Sequence, residues 1–272
     1  MYSKRISPEE LALMIDHTNL KPYATKKDIS KLCSEAIKYQ FGAVCVNSHY
    51  VMLCENLLKK SNVEIASVVG FPLGACSTET KVCETQNAIQ NGATEIDMVL
   101  NIGLFKDKNY ELVKDDIYKV VKAADGAIVK VILETGYMTD EEIVEACKLV
   151  MEAEAHFVKT STGFGPMGAY VDHVKLMRET VGKNFGVKAA GGIKNAKDAV
   201  RMINAGANRI GASAGVNIIE SLKSIIKNNT WFTDSDDKPE SIYSWGHADP
   251  KKQPKEIYEY YQRKKELFYS KN

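Results

Sequence analysis

Two lysines and an aspartate in this chain have the types and placement needed for chemistry through a Schiff base. Lys159 ends the aliphatic part of HFVKTSTGFG (156–165), just before a polar, glycine-bearing turn. Lys188 lies in FGVKAA (185–190) and Asp97 in TEIDMVLN (94–101). Lysine is rarely buried without a partner or a task. A free lysine, with a pKa of about 10.4, is almost wholly protonated and does not attack a carbonyl near neutral pH. A second cation nearby in a desolvated site lowers that value and frees the amine for Schiff-base formation. A carboxylate beside them supplies the acid/base function such chemistry needs. Taken singly, a lysine in a strand is more often a surface residue at the strand end, and an aspartate a loop cap. Two lysines one β/α unit apart, with an inward carboxylate, favour a site.

The elements that must position them are legible as short aliphatic runs separated by amphipathic stretches. The runs are LALMID (11–16), GAVCVN (42–47), VEIASVVG (63–70), TEIDMVLN, AIVKVILET (127–135), HFVKTST (156–162), FGVKAA and ANRIGAS (207–213). Helix signals lie between them. Ser7-Pro8-Glu9-Glu10 and Thr139-Asp140-Glu141-Glu142 both read as capping boxes. Some eight strand–helix units in order imply parallel strands with crossover helices, and eight units close a (β/α)8 barrel. An open doubly wound sheet is the alternative.

Strand residues alternate faces. Val129, Val131 and Leu133 share one face, opposite Lys130, Ile132 and Glu134; Ile96, Met98 and Leu100 share another, opposite Glu95, Asp97 and Val99. The aliphatic face suits the helix layer. In a parallel barrel the charged face points inward, where charge needs a partner or a purpose. Lys159 and Lys188 then fall at or near the carboxyl ends of neighbouring strands, the end where barrel enzymes carry their sites. On this reading each lysine lowers the pKa of the other.

The turns Ala190-Gly191-Gly192-Ile193-Lys194-Asn195 and Gly211-Ala212-Ser213-Ala214-Gly215 follow the seventh and eighth runs. Backbone N–H groups in such turns, with a helix N-terminus behind them, bind phosphate. Gly163-Phe-Gly165-Pro-Met-Gly168 is a formal GxGxxG. A nicotinamide site is disfavoured, because the acidic residue that motif needs about 20 residues on is absent and Pro166 removes a backbone donor.

With 272 residues, 44% hydrophobic and 26% charged, the chain has the size of one barrel domain. The formal net charge of +1 gives no field for nucleic acid or an anionic membrane. No apolar run approaches a membrane span and no secretion signal is visible. Six cysteines without a CxxC pair read as reduced thiols of a cytoplasmic protein. The histidines show no metal-ligand spacing, so no metal site is expected. Residues 1–228 are read as the barrel and 229–272 as a C-terminal extension. The extension has a turn-rich linker with Trp231 and Trp245, then a helix whose Ile257, Tyr260, Tyr261, Leu267 and Phe268 lie near one face and pack on the barrel or on a partner subunit.

IDHTNLKP (15–22), VVGFPLGA (68–75), EIDMVLNIG (95–103), FVKTSTGFG (157–165), VKAAGGIK (187–194) and RIGASAGV (209–216) together resemble the deoxyribose-phosphate aldolases, class I aldolases on a (β/α)8 barrel. The resemblance spans about Leu11 to Ile219. It implies metal-free cleavage of 2-deoxy-D-ribose 5-phosphate to glyceraldehyde 3-phosphate and acetaldehyde, with no cofactor. By motif match Lys159 forms the Schiff base, Lys188 tunes it and takes part in proton transfer, and Asp97 exchanges protons through water. Gly191, Gly192, Gly211 and Ser213 match the phosphate turns. Asp16 and Cys45 match pocket residues, and wall packing is the safer reading for Cys45. Thr160, Ser161 and Thr162 either bind substrate or satisfy the turn. Pro166-Met167, Tyr170, Ala214 and the extension depart from the family pattern. The implied partners are a phosphosugar substrate and further copies of the chain, as a dimer or tetramer. The alternatives are a Schiff-base aldolase for another phosphorylated sugar and a silent phosphometabolite-binding barrel.

Overall fold

Eight parallel strands close into a barrel in chain order in a computed structural model that describes residues 5–231 and 254–269. They are β1 (Ile15–Asn19), β2 (Ala43–Val46), β3 (Glu64–Val69), β4 (Glu95–Val99), β5 (Ile128–Ile132), β6 (Phe157–Lys159), β7 (Gly186–Ala190) and β8 (Arg209–Ala212). β1 pairs with β8 to complete the ring, so no strand edge is left open. Each expected run supplies one strand. The first run differs from expectation: α1 (Pro8–Leu13) takes its first half and β1 begins only at Ile15. The reason is local. Ser7 and Glu10 form the reciprocal capping box, Pro8 sits in the first helical turn, and Leu11 and Ala12 are buried from the helix.

The helix layer is α2 (Lys26–Tyr39), α3 (Val51–Leu58), α4 (Thr78–Gln90), α5 (Ile102–Lys106), α6 (Tyr110–Ala123), α7 (Asp140–Glu152), α8 (Val171–Val181), α9 (Ala196–Asn204) and α10 (Gly215–Asn228). Strand alternation then divides the interior into two environments. Ile96, Met98, Leu100, Val129, Val131 and Leu133 join the core between strands and helices. Glu95, Asp97 and Lys130 face the barrel axis and are buried. The register sets Asp97 beside Lys130 and Lys159 beside Lys188.

Of the extension, residues 229–231 and 254–269 are described, and the latter segment carries α11 (Lys255–Tyr269). It packs on the barrel. Ile257 and Tyr261 are buried, and Tyr261 Oη donates to Met138 O at 2.9 Å and lies 2.7 Å from His173 Nε2. Because the phenol proton goes to the carbonyl, His173 Nε2 is the donor to the phenol oxygen. The N–H of Asp140 reaches Tyr260 Oη at 3.4 Å. Met138, Asp140 and His173 lie where chain leaving β5 and β6 enters α7 and α8, so α11 braces the carboxyl-terminal end of the barrel. The side chains of Leu267 and Phe268, and all of Trp245, lie outside the described residues. Tyr261→Phe removes the hydrogen bond to Met138 O and is expected to loosen α11 by about 1–2 kcal/mol. Faster amide exchange confined to residues 254–269 and the start of α7 is the result that checks it; unchanged exchange contradicts it.

Candidate active site

The strand ends and loops of β1, β6, β7 and β8 enclose a cavity of about 490 Å³. Lys159, at the carboxyl end of β6, lines it, with Gly191, Gly192, Gly211 and Ser213. Gly191 and Gly192 both hold positive φ, +92° and +80°, so the turn after β7 needs residues without a side chain. The turn after β8 runs into α10, whose N-cap, Ala214, makes no side-chain capping bond. No side-chain oxygen at the N-cap therefore takes up the first amides of α10. Lys194, Lys21 and Lys31 also line the cavity.

Lys188, Asp97, Asp16, Cys45 and Thr160 are buried and lie behind this wall rather than on it. Asp97 is the centre of the group behind Lys159. Its Oδ2 accepts from Lys159 Nζ at 2.6 Å and from Lys188 Nζ at 2.7 Å, and its Oδ1 accepts from Lys130 Nζ at 2.7 Å. Asp16 accepts from Lys188 Nζ and from Arg209 Nε. Glu95 accepts from Lys130 at 2.5 Å and from Arg209 Nη2 at 2.9 and 3.0 Å. Asp16 therefore serves as a partner of two cations under the site and does not touch the cavity.

This network has a simple charge account. Three carboxylates, Asp16, Glu95 and Asp97, meet four basic side chains, Lys130, Lys159, Lys188 and Arg209. Uncompensated charge inside a barrel is costly. Neutrality is reached if one base gives up its proton, and the pKa directions differ among the four. Burial lowers the pKa of Lys159, Asp97 opposes this and Lys188 adds to it; the net direction is down. Burial also acts against a charged Lys188, but Asp16 and Asp97 outweigh it and its pKa is raised. The mutual lowering expected of the two lysines therefore holds for Lys159 only, because Lys188 has two carboxylates and Lys159 shares one. Burial alone would raise the pKa of Asp97; Lys130, Lys159 and Lys188 together hold it well below the usual carboxylate range. For Asp16 the same contest, with Lys188, Lys130 and Arg209 on the lowering side, leaves a pKa of about 2.

Cys45 packs with Leu20, Ala66, Val68 and Phe71 in a small apolar cluster. Burial, then the charge of Asp97, push its thiol up, so it is a neutral wall residue. Thr160 is absorbed by structure: its hydroxyl donates to Ala190 O and accepts from Ala190 N, both at 3.1 Å, which ties β6 to β7. Thr162 lines the cavity, and its hydroxyl donates to Glu134. Sequence reasoning did not find Arg209, nor the Thr162–Glu134 contact. Arg209 and Glu95 lie on β8 and β4 and meet only across the closed barrel. The available signal was the alternation of Arg209 with Ile210, which puts a charge on the inner face.

Residues 10–221 match the DeoC/LacD family aldolase. The deoxyribose-phosphate aldolase of Thermococcus kodakarensis is 59% identical over 219 residues, covering 79% of this chain and 98% of that protein. That of Clostridium tetani is 56% identical over 215 residues, covering 79% of this chain and all of the relative. Among solved structures, the tetrameric deoxyribose phosphate aldolase of Aeropyrum pernix superposes with a TM-score of 0.76 at 38% identity, over 80% of this chain and 93% of that one. With its closed eight-stranded barrel and its lysine-bearing sixth and seventh strands, the chain belongs to the DeoC/LacD aldolase family.

Proposed function

We propose that the chain reversibly cleaves 2-deoxy-D-ribose 5-phosphate to D-glyceraldehyde 3-phosphate and acetaldehyde through a Schiff base on Lys159. The observation that carries this reading is Lys159 itself: a buried amine on the cavity wall, 2.6 Å from Asp97, and the one base in the network whose pKa is lowered. Neutral Nζ adds to C1 of the open-chain sugar to give a carbinolamine. A proton from Lys188 to the carbinolamine hydroxyl and loss of water leave a protonated imine. The C2–C3 bond then breaks, its electron pair forming the C1=C2 bond of an enamine as the imine π pair passes to nitrogen, while the C3 hydroxyl proton goes to a base and C3 leaves as the aldehyde of glyceraldehyde 3-phosphate. We assign that base to Asp97, acting through water. Protonation of the enamine at C2 and hydrolysis release acetaldehyde and restore the amine. Lys188, held charged by Asp16 and Asp97, keeps the Lys159 pKa low and belongs to the proton path.

The substrate phosphate is read into the turns of Gly191, Gly192, Gly211 and Ser213 at the start of α10, with Lys194 adding charge. Ala214 offers no hydroxyl there, so backbone N–H groups carry more of the binding. Among the described residues no helix is long and apolar enough to cross a membrane. We further read the protein as a cytoplasmic homo-oligomer, dimer or tetramer, of a deoxyribose catabolic reaction. Residues 229–272 are read as an extension that packs on the barrel or on a partner subunit without taking part in the chemistry.

The test is incubation of purified protein with 2-deoxy-D-ribose 5-phosphate and measurement of both products. Equal amounts of acetaldehyde and glyceraldehyde 3-phosphate, unaffected by EDTA, are expected. No turnover of this sugar, with turnover of another phosphorylated sugar, overturns the substrate assignment.

A further inference from the structure

Glu134 is a buried carboxyl that the reaction scheme above does not use. It follows β5 at the cavity end of the barrel, with φ of +55°, a conformation that needs support from its surroundings. That support is the loop after β6. Glu134 Oε2 accepts from the Thr162 N–H at 3.2 Å and from the Thr162 hydroxyl. The loop lies close over the carboxyl: a Cβ added at Gly165 would stand 2.5 Å from Glu134 Cδ. The other oxygen, Oε1, is buried with no hydrogen-bond partner among the described residues. The charged and titratable groups that face Glu134 are Lys159 from β6 and Tyr137 from the turn before α7. Burial pushes the carboxyl up to about 7, against the Thr162 hydrogen bonds and Lys159.

The consequence falls on Thr162, which lines the cavity. Its single hydroxyl proton is committed to Glu134, and one lone pair accepts from the Phe164 N–H at 3.0 Å. A hydroxyl oxygen has two lone pairs, so one remains. The group can therefore offer a ligand an acceptor and not a donor. The hydroxyl groups of a phosphosugar are donors that such an acceptor can hold.

We propose that Glu134 is a positioning residue for the aldol cleavage, taking the Thr162 proton so that Thr162 Oγ1 accepts from a hydroxyl of the bound phosphosugar. The proposal rests on the aldolase reading above. It separates two steps that a general loss of structure would damage together. Acetaldehyde has no hydroxyl, so its imine with Lys159 does not need the acceptor; the phosphosugar does.

The experiment compares wild type, Glu134→Leu, Glu134→Gln and Thr162→Val in two assays. One is the steady-state cleavage of 2-deoxy-D-ribose 5-phosphate; the other is borohydride trapping of acetaldehyde on Lys159. Glu134→Leu and Thr162→Val are each expected to raise KM about tenfold, the worth of one hydrogen bond, while acetaldehyde trapping stays at the wild-type level. Glu134→Gln, whose amide oxygen can accept both Thr162 hydrogen bonds, is expected to recover most of that loss. If Glu134→Leu does not fold, the Thr162→Val and Glu134→Gln comparison decides alone. Unchanged KM in Thr162→Val, a glutamine variant as impaired as the leucine variant, or joint loss of trapping and cleavage overturns the proposal. No cleavage by the wild type overturns the aldolase reading, and this proposal with it, whereas wild-type cleavage with unshifted variants overturns the role of Glu134 alone.

Discussion

Lys159→Leu is expected to leave a folded barrel whose cleavage of 2-deoxy-D-ribose 5-phosphate has fallen by about 10⁴-fold or more, the scale on which loss of a covalent nucleophile is felt. Leucine has similar bulk and no amine, so no imine forms and the C2–C3 bond has no electron sink. The charge account adds a second expectation. Lys159 is the base in excess, and without it the three carboxylates Asp16, Glu95 and Asp97 meet three cations, Lys130, Lys188 and Arg209. Asp97 keeps hydrogen bonds from Lys130 and Lys188. Unfolding measurements should therefore show the variant at least as stable as the wild type, since a nearly fully buried amine has been exchanged for an apolar group. Marked destabilisation would mean that the Lys159 ammonium is part of the ion-pair framework. In the wild type, kcat/KM is expected to rise with pH as Lys159 loses its proton, with that limb displaced below the value of an ordinary lysine.

Asp97→Asn is the second large effect, and here stability and activity fall together. Asp97 is fully buried and accepts hydrogen bonds from three lysine side chains. Without its charge, Lys130 and Lys188 lose a carboxylate they share. Breaking a buried ion pair by removing one partner costs about 3–5 kcal/mol, which is the expected loss in unfolding free energy. Loss of the base that receives the C3 hydroxyl proton is expected to slow cleavage by about 10²–10⁴-fold. Imine formation responds differently. Asp97 raises the pKa of Lys159, so its removal favours the neutral amine. Acetaldehyde should still be trapped by borohydride while cleavage is lost. Cleavage within about tenfold of wild type would remove Asp97 from the proton path, given the usual worth of general base catalysis.

Much of this was legible before any coordinates. The alternation of Val129, Lys130 and Val131 placed charge on the inner face, because a strand has only two faces and the aliphatic one must meet the helices. The placement of Lys159 and Lys188 one β/α unit apart put them on neighbouring strands, and the register pairs them directly. Other features depend on closure of the ring, which local sequence does not encode. Arg209 and Glu95 are partners across the barrel interior, and Asp16 reaches Lys188 only because β1 returns beside β8. That second carboxylate is why the pKa of Lys188 is raised, where two neighbouring lysines alone would lower it. The three hydroxyl residues after Lys159 show the same limit. Thr160 staples β6 to β7 and Thr162 contacts Glu134, and neither partner is near in sequence.

The central claim is that Lys159 is the nucleophile because it is the one buried base left without a full counter-charge. It is tested most directly by reducing the protein with borohydride in the presence of acetaldehyde and mapping the modified peptide. The account predicts a single ethyl group, on Lys159, in protein that loses its activity in step with the modification. An ethyl group on Lys188 or another lysine, or no modification of protein that cleaves the phosphosugar, would contradict it.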